Sequence, residues 1–169
     1  MKASPVAQVP DSQVLVAARR LGRGFQVARD GEGELQLQVM VDGDLLLRCP
    51  LTNKGTAFTR AERAELRLEG LLPPRVESLE TQAARAYSMY LEAKTPLARS
   101  RFLRQLQDRN EVLFYFLLEK HLREMLPIVY TPTVGEAVER FSSLFETARG
   151  MSVTRDDSDD IAHVVASYP

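Results

Sequence analysis

The chain has 169 residues, of which 44% are hydrophobic and 27% are charged, and its formal net charge is −1. This balance is typical of a folded chain with one core of ordinary size, and it excludes the strongly basic surface that attracts nucleic acid or anionic membranes. No apolar stretch reaches the roughly 18 residues that a membrane-spanning helix needs, and the amino-terminal charge order is not that of a secretory signal. The single cysteine, Cys49, cannot form an internal disulfide. We therefore predict a cytoplasmic protein with no membrane or nucleic-acid partner.

The first 44 residues differ in pattern from the rest. Residues 1–10 contain prolines and no periodicity, and we predict a loose tail there. Apolar and polar residues alternate from Leu35 to Val41, which is typical of a strand. The pair Asp42-Gly43 indicates a hairpin turn, and Leu45-Leu46-Leu47 is the candidate return strand. Residues 1–44 are thus predicted to be an extension that contains the start of a small β-hairpin, and residues 45–169 to be the main domain.

Helical signals begin at Thr59. Thr59 and Glu62 have the spacing of a capping box, and the helix that they start is predicted to end at Gly70. The pair Pro73-Pro74 then forbids a helix and predicts an extended link.

Three further helices follow in the predicted order. Ser78 caps the first, which runs to about Ala93, and Pro96 begins the second, which runs to about Asp108. Asn110 is the candidate cap of the third, Glu111–Met125, whose apolar residues cover most of its circumference. That helix is predicted to lie at the centre of the core.

The last part of the chain mixes a helix, a short strand and a final helical turn. Thr133 and Glu136 have the spacing of a second capping box, with a helix to about Phe145. Residues 151–154 are predicted as a short strand, and Asp157 or Ser158 as the cap of the last amphipathic turns. The predicted fold class is therefore mainly α, with a small hairpin near the N-terminus.

Tyr130 has an unusual position. The apolar run Leu126-Pro-Ile-Val129 stops at this tyrosine, and Pro132 then turns the chain into a helix. The side chain is either packed with its hydroxyl satisfied or a proton donor that faces a cleft. The pattern alone favours the packed tyrosine.

The sequence offers little for other chemistries. His121 and His163 are far apart and cannot form a metal site with one cysteine. The acidic cluster at residues 156–160 lacks the glycine and the glutamate of a calcium loop, so it is interpreted as a solvated helix start. No glycine-rich phosphate loop and no G-x-S-x-G sequence are present.

Several segments resemble the amino-terminal region of the malic enzymes, in matching order and spacing. They are LTNKGTAFT from Leu51, EGLLPPRVE from Glu69, QDRNE from Gln107 with LFY after it, LPIVYTPTVGE from Leu126, and Arg149-Gly150. The resemblance covers residues 45–169, and IVYTPTVGEA is the most specific of these segments.

The resemblance implies an oxidoreductase that converts L-malate to pyruvate and carbon dioxide, with NAD or NADP and Mg²⁺ or Mn²⁺. In that family the tyrosine of the IVYTPT segment is the general acid, and this role carries over to Tyr130. A phenol suits the task because it keeps its proton at neutral pH. The family also implies a homo-oligomer, a dimer or a tetramer.

The resemblance also suggests a possible allosteric dicarboxylate site. Members that fumarate activates use two arginines and a nearby glutamate at a subunit interface. The matching positions in this chain are Arg85, Arg109 and Glu77. Paired arginines can each bind one carboxylate, although structural salt bridges would use the same residue types.

This sequence departs from the family in three respects. Phe145-Glu146-Thr147-Ala148 replaces a usual basic pair, and Phe116 stands at a position that is often basic. The catalytic lysine, the metal ligands and the nucleotide-binding domain of the family would all follow Pro169. We therefore expect a malic enzyme fragment that binds no metal or nucleotide by itself and is inactive alone. The alternatives are a non-catalytic interaction or regulatory domain and a dicarboxylate sensor that uses Arg85 and Arg109.

Overall fold

A computed structural model describes residues 25–29, 31–33, 35–144 and 146–167. Residues 42–148 form one compact unit, and the described residues before and after them form a second. Most of the described residues in secondary structure are helical, so the predicted fold class is confirmed. No helix in these ranges is long and apolar enough to cross a membrane.

An antiparallel hairpin lies near the N-terminus, as predicted, but with different strands. Strand β1 spans Phe25–Arg29 and strand β2 spans Leu35–Val39. Phe25 pairs with Val39, and Arg29 pairs with Leu35. The alternating segment thus pairs with the residues before it, not with those after it.

The predicted turn at Asp42-Gly43 and the return strand at Leu45–Leu47 are wrong. Helix α1 spans Gly43–Arg48 and buries Leu46. The Gly43 amide donates to Leu66 O at 2.8 Å, and Gly43 has a φ of 56°, which glycine adopts at no steric cost. The Asp42 carboxylate accepts hydrogen bonds from the Arg67 guanidinium. The hydrogen bonds between Asp42 and Arg67, which are 25 residues apart in the chain, therefore favour a helix start at Asp42-Gly43.

Helix α2 spans Arg60–Glu65, and the predicted capping box of Thr59 and Glu62 is confirmed. Its end is not at Gly70. The Leu68 amide donates to Arg63 O at 2.8 Å and the Arg67 amide to Ala64 O at 3.4 Å. These two bonds form a Schellman motif in which Arg67, with a φ of 55°, takes the left-handed position.

Four helices build the core: α3 Leu79–Glu92, α4 Pro96–Arg109, α5 Glu111–Lys120 and α6 Leu122–Val129. The predicted caps Ser78 and Asn110 are confirmed, as is Pro96 at the first position of α4. The third predicted helix is divided in two, since the backbone of His121 leaves the helical conformation.

Helix α5 is the central helix of this unit, as the apolar pattern predicted. It packs against α3, α4 and α6. The cluster that results takes its buried side chains from all four helices: Ala83, Ala86, Tyr90, Leu103, Leu106, Leu113, Phe114, Leu117, Met125 and Ile128. Burial of this apolar surface is the main stabilising term of the unit.

The remaining elements are short. Helix α7 spans Thr133–Glu139 and α8 spans Phe141–Leu144, while α9 spans Ile161–Ser167. The second capping box is wrong, because Thr133 makes no capping bond. The strand at residues 151–154 is also wrong. Thr154 and Asp157 form a capping box at a 3-10 turn, Arg155–Asp157, in which the Thr154 amide donates to the Asp157 carboxylate at 2.7 Å. That amide is therefore not available to a strand partner.

Candidate functional site

The backbone of Tyr130 is held from both sides. Its amide donates to Leu126 O at 2.9 Å and ends helix α6, and its carbonyl accepts from the Val134 amide at 3.1 Å, at the start of α7. Both main-chain hydrogen-bonding groups of Tyr130, its N–H and its C=O, are therefore used within the turn, and the position of the Cα atom is well defined.

Thr133 fastens the same turn. It is buried, and its Oγ1 donates to Pro127 O at 2.8 Å, within helix α6. Pro127 lies inside α6 and its carbonyl is one that the end of the helix leaves open. The hydroxyl thus ties the start of α7 to the last turn of α6, which explains why it does not cap α7 itself.

The Tyr130 side chain points outward and is 66% exposed. The packed alternative for this tyrosine is therefore wrong in the described part of the chain. A phenol on a fixed backbone and open to its surroundings can meet a bound molecule without any rearrangement of the turn.

An apolar face continues from Tyr130 along α6. Leu122 and Leu126 are each 50% exposed and are four residues apart, so they share one side of the helix with Tyr130. Met125 and Ile128 are buried on the other side. The side of α6 that carries Leu122 and Leu126 is thus both apolar and exposed, while Arg123 and Glu124 make another part of its exposed surface charged.

Two of the three residues of the predicted dicarboxylate site lie together. The Arg85 guanidinium donates to both carboxylate oxygens of Glu77, with Nη1 3.0 Å from Oε1. This guanidinium, beside the carboxylate, lowers the pKa of Glu77 below its usual value. Arg75 Nε lies 3.9 Å from the same carboxylate, a contact that the sequence analysis missed.

Within the described part of the chain, Arg109 is linked to this pair through the loop of residues 53–56. Its Nε donates to Gln105 O at 3.1 Å, and its carbonyl accepts from Asn53 Nδ2 at 3.2 Å. From the same loop, Thr56 Oγ1 lies 3.4 Å from Glu77 Oε2. The loop thus bridges the end of α4 and the Glu77 pair.

The structure also reveals a residue that the sequence did not indicate. Arg63 is buried and donates to four main-chain carbonyls, of Phe58, Pro73, Thr56 and Arg75. It holds the loop that carries Thr56 against the link that carries Glu77. An arginine that follows Glu62 in an amphipathic helix gave no signal of this role.

The structure brings no metal ligands together within the described ranges, where no three His, Cys, Asp or Glu side chains are placed to share an ion. The His121 ring stacks on Tyr87 with 3.8 Å between ring centroids. The Tyr87 hydroxyl donates to the Glu124 carboxylate at 2.7 Å, and this bond raises the pKa of Tyr87. His163 lies in α9.

Comparison with known proteins adds to this geometry. The malic enzyme N-terminal domain family matches residues 107–169. The NAD-dependent malic enzyme of Idiomarina loihiensis is 52% identical over 128 residues, which make up 74% of this chain and 23% of that enzyme. The enzyme of the same name from Photorhabdus laumondii is 48% identical over 133 residues, 79% of this chain and 23% of the relative.

Residues 107–169 of the chain belong to the malic enzyme N-terminal domain family, and the similarity to the two relatives extends over 74–79% of the chain. The resemblance drawn from its sequence is thereby confirmed. The chain spans less than a quarter of the length of the curated relatives that it matches. The residues that match the N-terminal domain include Arg109 and the whole turn around Tyr130, whereas Glu77 and Arg85 precede them.

Proposed function

We propose that this chain is the N-terminal part of an NAD-dependent malic enzyme and that Tyr130 is its general acid. The reaction is the oxidative decarboxylation of L-malate to pyruvate and carbon dioxide. The observation that supports this role best is the exposed phenol of Tyr130 on a backbone that is fixed at both ends. The sequence around it lies inside the matched domain.

The proposed step is a proton transfer. After carbon dioxide leaves, the substrate is an enolate whose carbon must gain a proton to become pyruvate. The Tyr130 hydroxyl donates that proton, and the phenolate recovers one from a protonated neighbouring group or from solvent. The bonds of Tyr130 and Thr133 to α6 keep the donor at one position, which favours a productive geometry.

The other parts of the chemistry are proposed to come from outside this chain. In the longer enzyme, NAD would supply the hydride acceptor, and a divalent metal, Mg²⁺ or Mn²⁺, would supply the polarisation of the carbonyl group. The described residues form no ligand set for such an ion, so we assign its ligands and the nucleotide site to the rest of the longer enzyme. The 169-residue chain is then inactive alone, which an assay of malate-dependent NAD reduction tests directly.

A chimera tests Tyr130. The matched segment of the Idiomarina loihiensis enzyme is replaced by the corresponding residues of this chain, and the chimera is assayed with malate, NAD and Mn²⁺. We expect Tyr130→Phe to lower kcat by about 1,000-fold, the effect of losing a general acid, with little change in KM.

Tyr115 provides the matched control, since it is also a tyrosine with a largely exposed side chain, at 54%. Tyr115→Phe should leave kcat within about twofold of the parent chimera, as expected of a surface substitution. A Tyr130→Phe chimera as active as the Tyr115→Phe chimera would show that Tyr130 is not the acid.

The exposed face of α6 favours a second role, subunit contact. Leu122 and Leu126 form a pair of exposed apolar side chains. Their exposure to water does not stabilise a monomer, whereas burial against a second subunit would be favourable. We propose that the enzyme is a cytoplasmic homo-oligomer, and a non-catalytic interaction domain is the alternative that the same face would serve. Sedimentation of the chain and of Leu126→Glu tests the contact, because a charge there should shift an oligomer toward the monomer.

The dicarboxylate site of Arg85, Arg109 and Glu77 stays a proposal. Arg85 is engaged with Glu77, so a dicarboxylate would have to compete with that carboxylate or bind beside it. Calorimetry with fumarate tests this site, and heat that disappears in Arg85→Gln would support it.

A further inference from the structure

A cavity of about 140 Å³ lies between helices α4 and α7. Its walls are largely apolar and include Leu103, Phe114, Val129, Val134 and Phe141. An apolar protein cavity of about 150 Å³ is large enough to bind benzene. The space between these helices therefore suits the body of a small aromatic or branched aliphatic molecule.

One buried polar donor belongs to a residue that lines this cavity. Arg104 of α4 is among the lining residues, and its Nε is shielded from solvent. That N–H has no acceptor among the described residues. A buried donor without an acceptor is unfavourable, so a molecule that brings an acceptor to it gains a strong hydrogen bond.

The charges around the cavity favour an anion. Glu146 also lines the cavity, but its carboxylate lies 3.8 Å from Arg101 Nε, and the charge of that carboxylate is matched. The described ion pairs give Arg104 no carboxylate of its own. The lining thus combines apolar side chains with the polar Ser100 and Gln107, the paired Glu146, and Arg104, for which the described ion pairs include no carboxylate.

We propose that this cavity binds a small apolar molecule with a single carboxylate, whose body contacts the apolar walls and whose carboxylate accepts from Arg104. The site is separate from Tyr130 and from the Glu77 pair, and it does not depend on the proposed reaction. Val129 and Val134 stand on either side of the Tyr130 turn, so an occupant would contact both ends of that turn.

Benzoate is the probe for this site. It is titrated into the complete 169-residue chain, and the methyl groups of Val129, Val134 and Leu103 are followed by NMR. We expect saturable shifts with a dissociation constant of about 1 mM, which is ordinary for a ligand of this size. Benzyl alcohol, which keeps the ring but not the charge, should bind more weakly, and benzylamine should not shift these methyl groups.

Two variants separate recognition by Arg104 from general charge. Arg104→Met keeps an unbranched apolar stem and should weaken benzoate about tenfold through loss of a charged donor, while leaving benzyl alcohol unchanged. Arg123→Met removes an exposed positive charge from α6 and should leave benzoate binding unchanged. No saturable shift at about ten times the expected constant, or equal weakening by both variants, would overturn the proposal.

Discussion

Residues 53–77 and the four-helix core of α3 to α6 are each stabilised by a different set of interactions. In the core, Leu117 and the side chains around it are buried apolar groups from four helices. In residues 53–77, one buried guanidinium, that of Arg63, donates to four main-chain carbonyls from two stretches of the chain, residues 56–58 and 73–75. The core is thus stabilised mainly by burial, whereas residues 53–77 combine two buried apolar side chains, Phe58 and Leu68, with the directional hydrogen bonds of Arg63.

The difference explains what each region can contribute to function. A packed core tolerates changes in its outer surface, so α6 can carry Tyr130 at its end without loss of packing. A hydrogen-bonded loop holds charged groups at defined positions, and residues 53–77 hold Thr56 and Glu77 beside Arg85 in this way. Each region can be weakened separately if this contrast is right.

The largest effect is expected from the core. Leu117 has no exposed surface, and Leu117→Ala should lower the free energy of unfolding by about 4 kcal/mol through lost burial and a cavity. Urea denaturation measures this loss. Hydrogen exchange should rise together across α3 to α6.

Leu122→Ala is the matched control, because it removes the same atoms from a half-exposed position on α6. It should cost only about 0.5 kcal/mol. Equal losses from the two substitutions would mean that the core does not depend on burial of α5.

Helix periodicity and capping residues predicted the core helices well, because both signals depend on residues that are close together in the sequence. Ser78, Pro96 and Asn110 marked helix starts that the structure confirms. The Asp42-Gly43 pair could not be interpreted in the same way, since its conformation depends on Arg67, which is distant in the sequence. An Asp-Gly pair can form a hairpin turn or start a helix, and here the contact with Arg67 favours the helix.

The second effect is expected at Arg63. Arg63→Met keeps the apolar stem but leaves four carbonyls without their donor. We expect a loss of about 2–3 kcal/mol in the free energy of unfolding, measured in urea. Hydrogen exchange should rise mainly in residues 56–77, in contrast to Leu117→Ala.

Arg63→Lys sharpens the test. An ammonium group cannot reproduce the planar fork of donors, so this variant should fall between the parent and Arg63→Met. A lysine variant as stable as the parent would show that charge, and not the set of four bonds, is what this position requires.

The candidate site was only partly predictable. Tyr130 could be named from the sequence around it, but its exposure could not, because the pattern does not show on which side of the turn between α6 and α7 the side chain lies. Glu77 and Arg85 could be named as well. Their connection to Arg109 through Asn53 and Thr56 required the three-dimensional path of the loop.

The smallest effect is expected at the Glu77 pair, and it depends on pH. The Arg85 guanidinium lowers the pKa of Glu77 in the folded chain, so the ionised carboxylate stabilises the fold at pH values above its unfolded pKa, which is about 4.3 for a glutamate. This contribution is lost as the pH falls through the lower folded value. Glu77→Gln should therefore be less stable than the parent at neutral pH, and the two should converge below about pH 4.

The double variant Glu77→Gln with Arg85→Gln provides the control for this prediction. Arg85 is largely exposed, so the pair contributes little to stability compared with Leu117 or Arg63. If the pair acts through its charges, Arg85→Gln should destabilise the parent but have almost no effect in the Glu77→Gln background. A stability difference between the parent and Glu77→Gln that stays constant from neutral to acidic pH would instead assign the role of Glu77 to packing against Thr56, and residues 53–77 would then resemble the core more than the contrast allows.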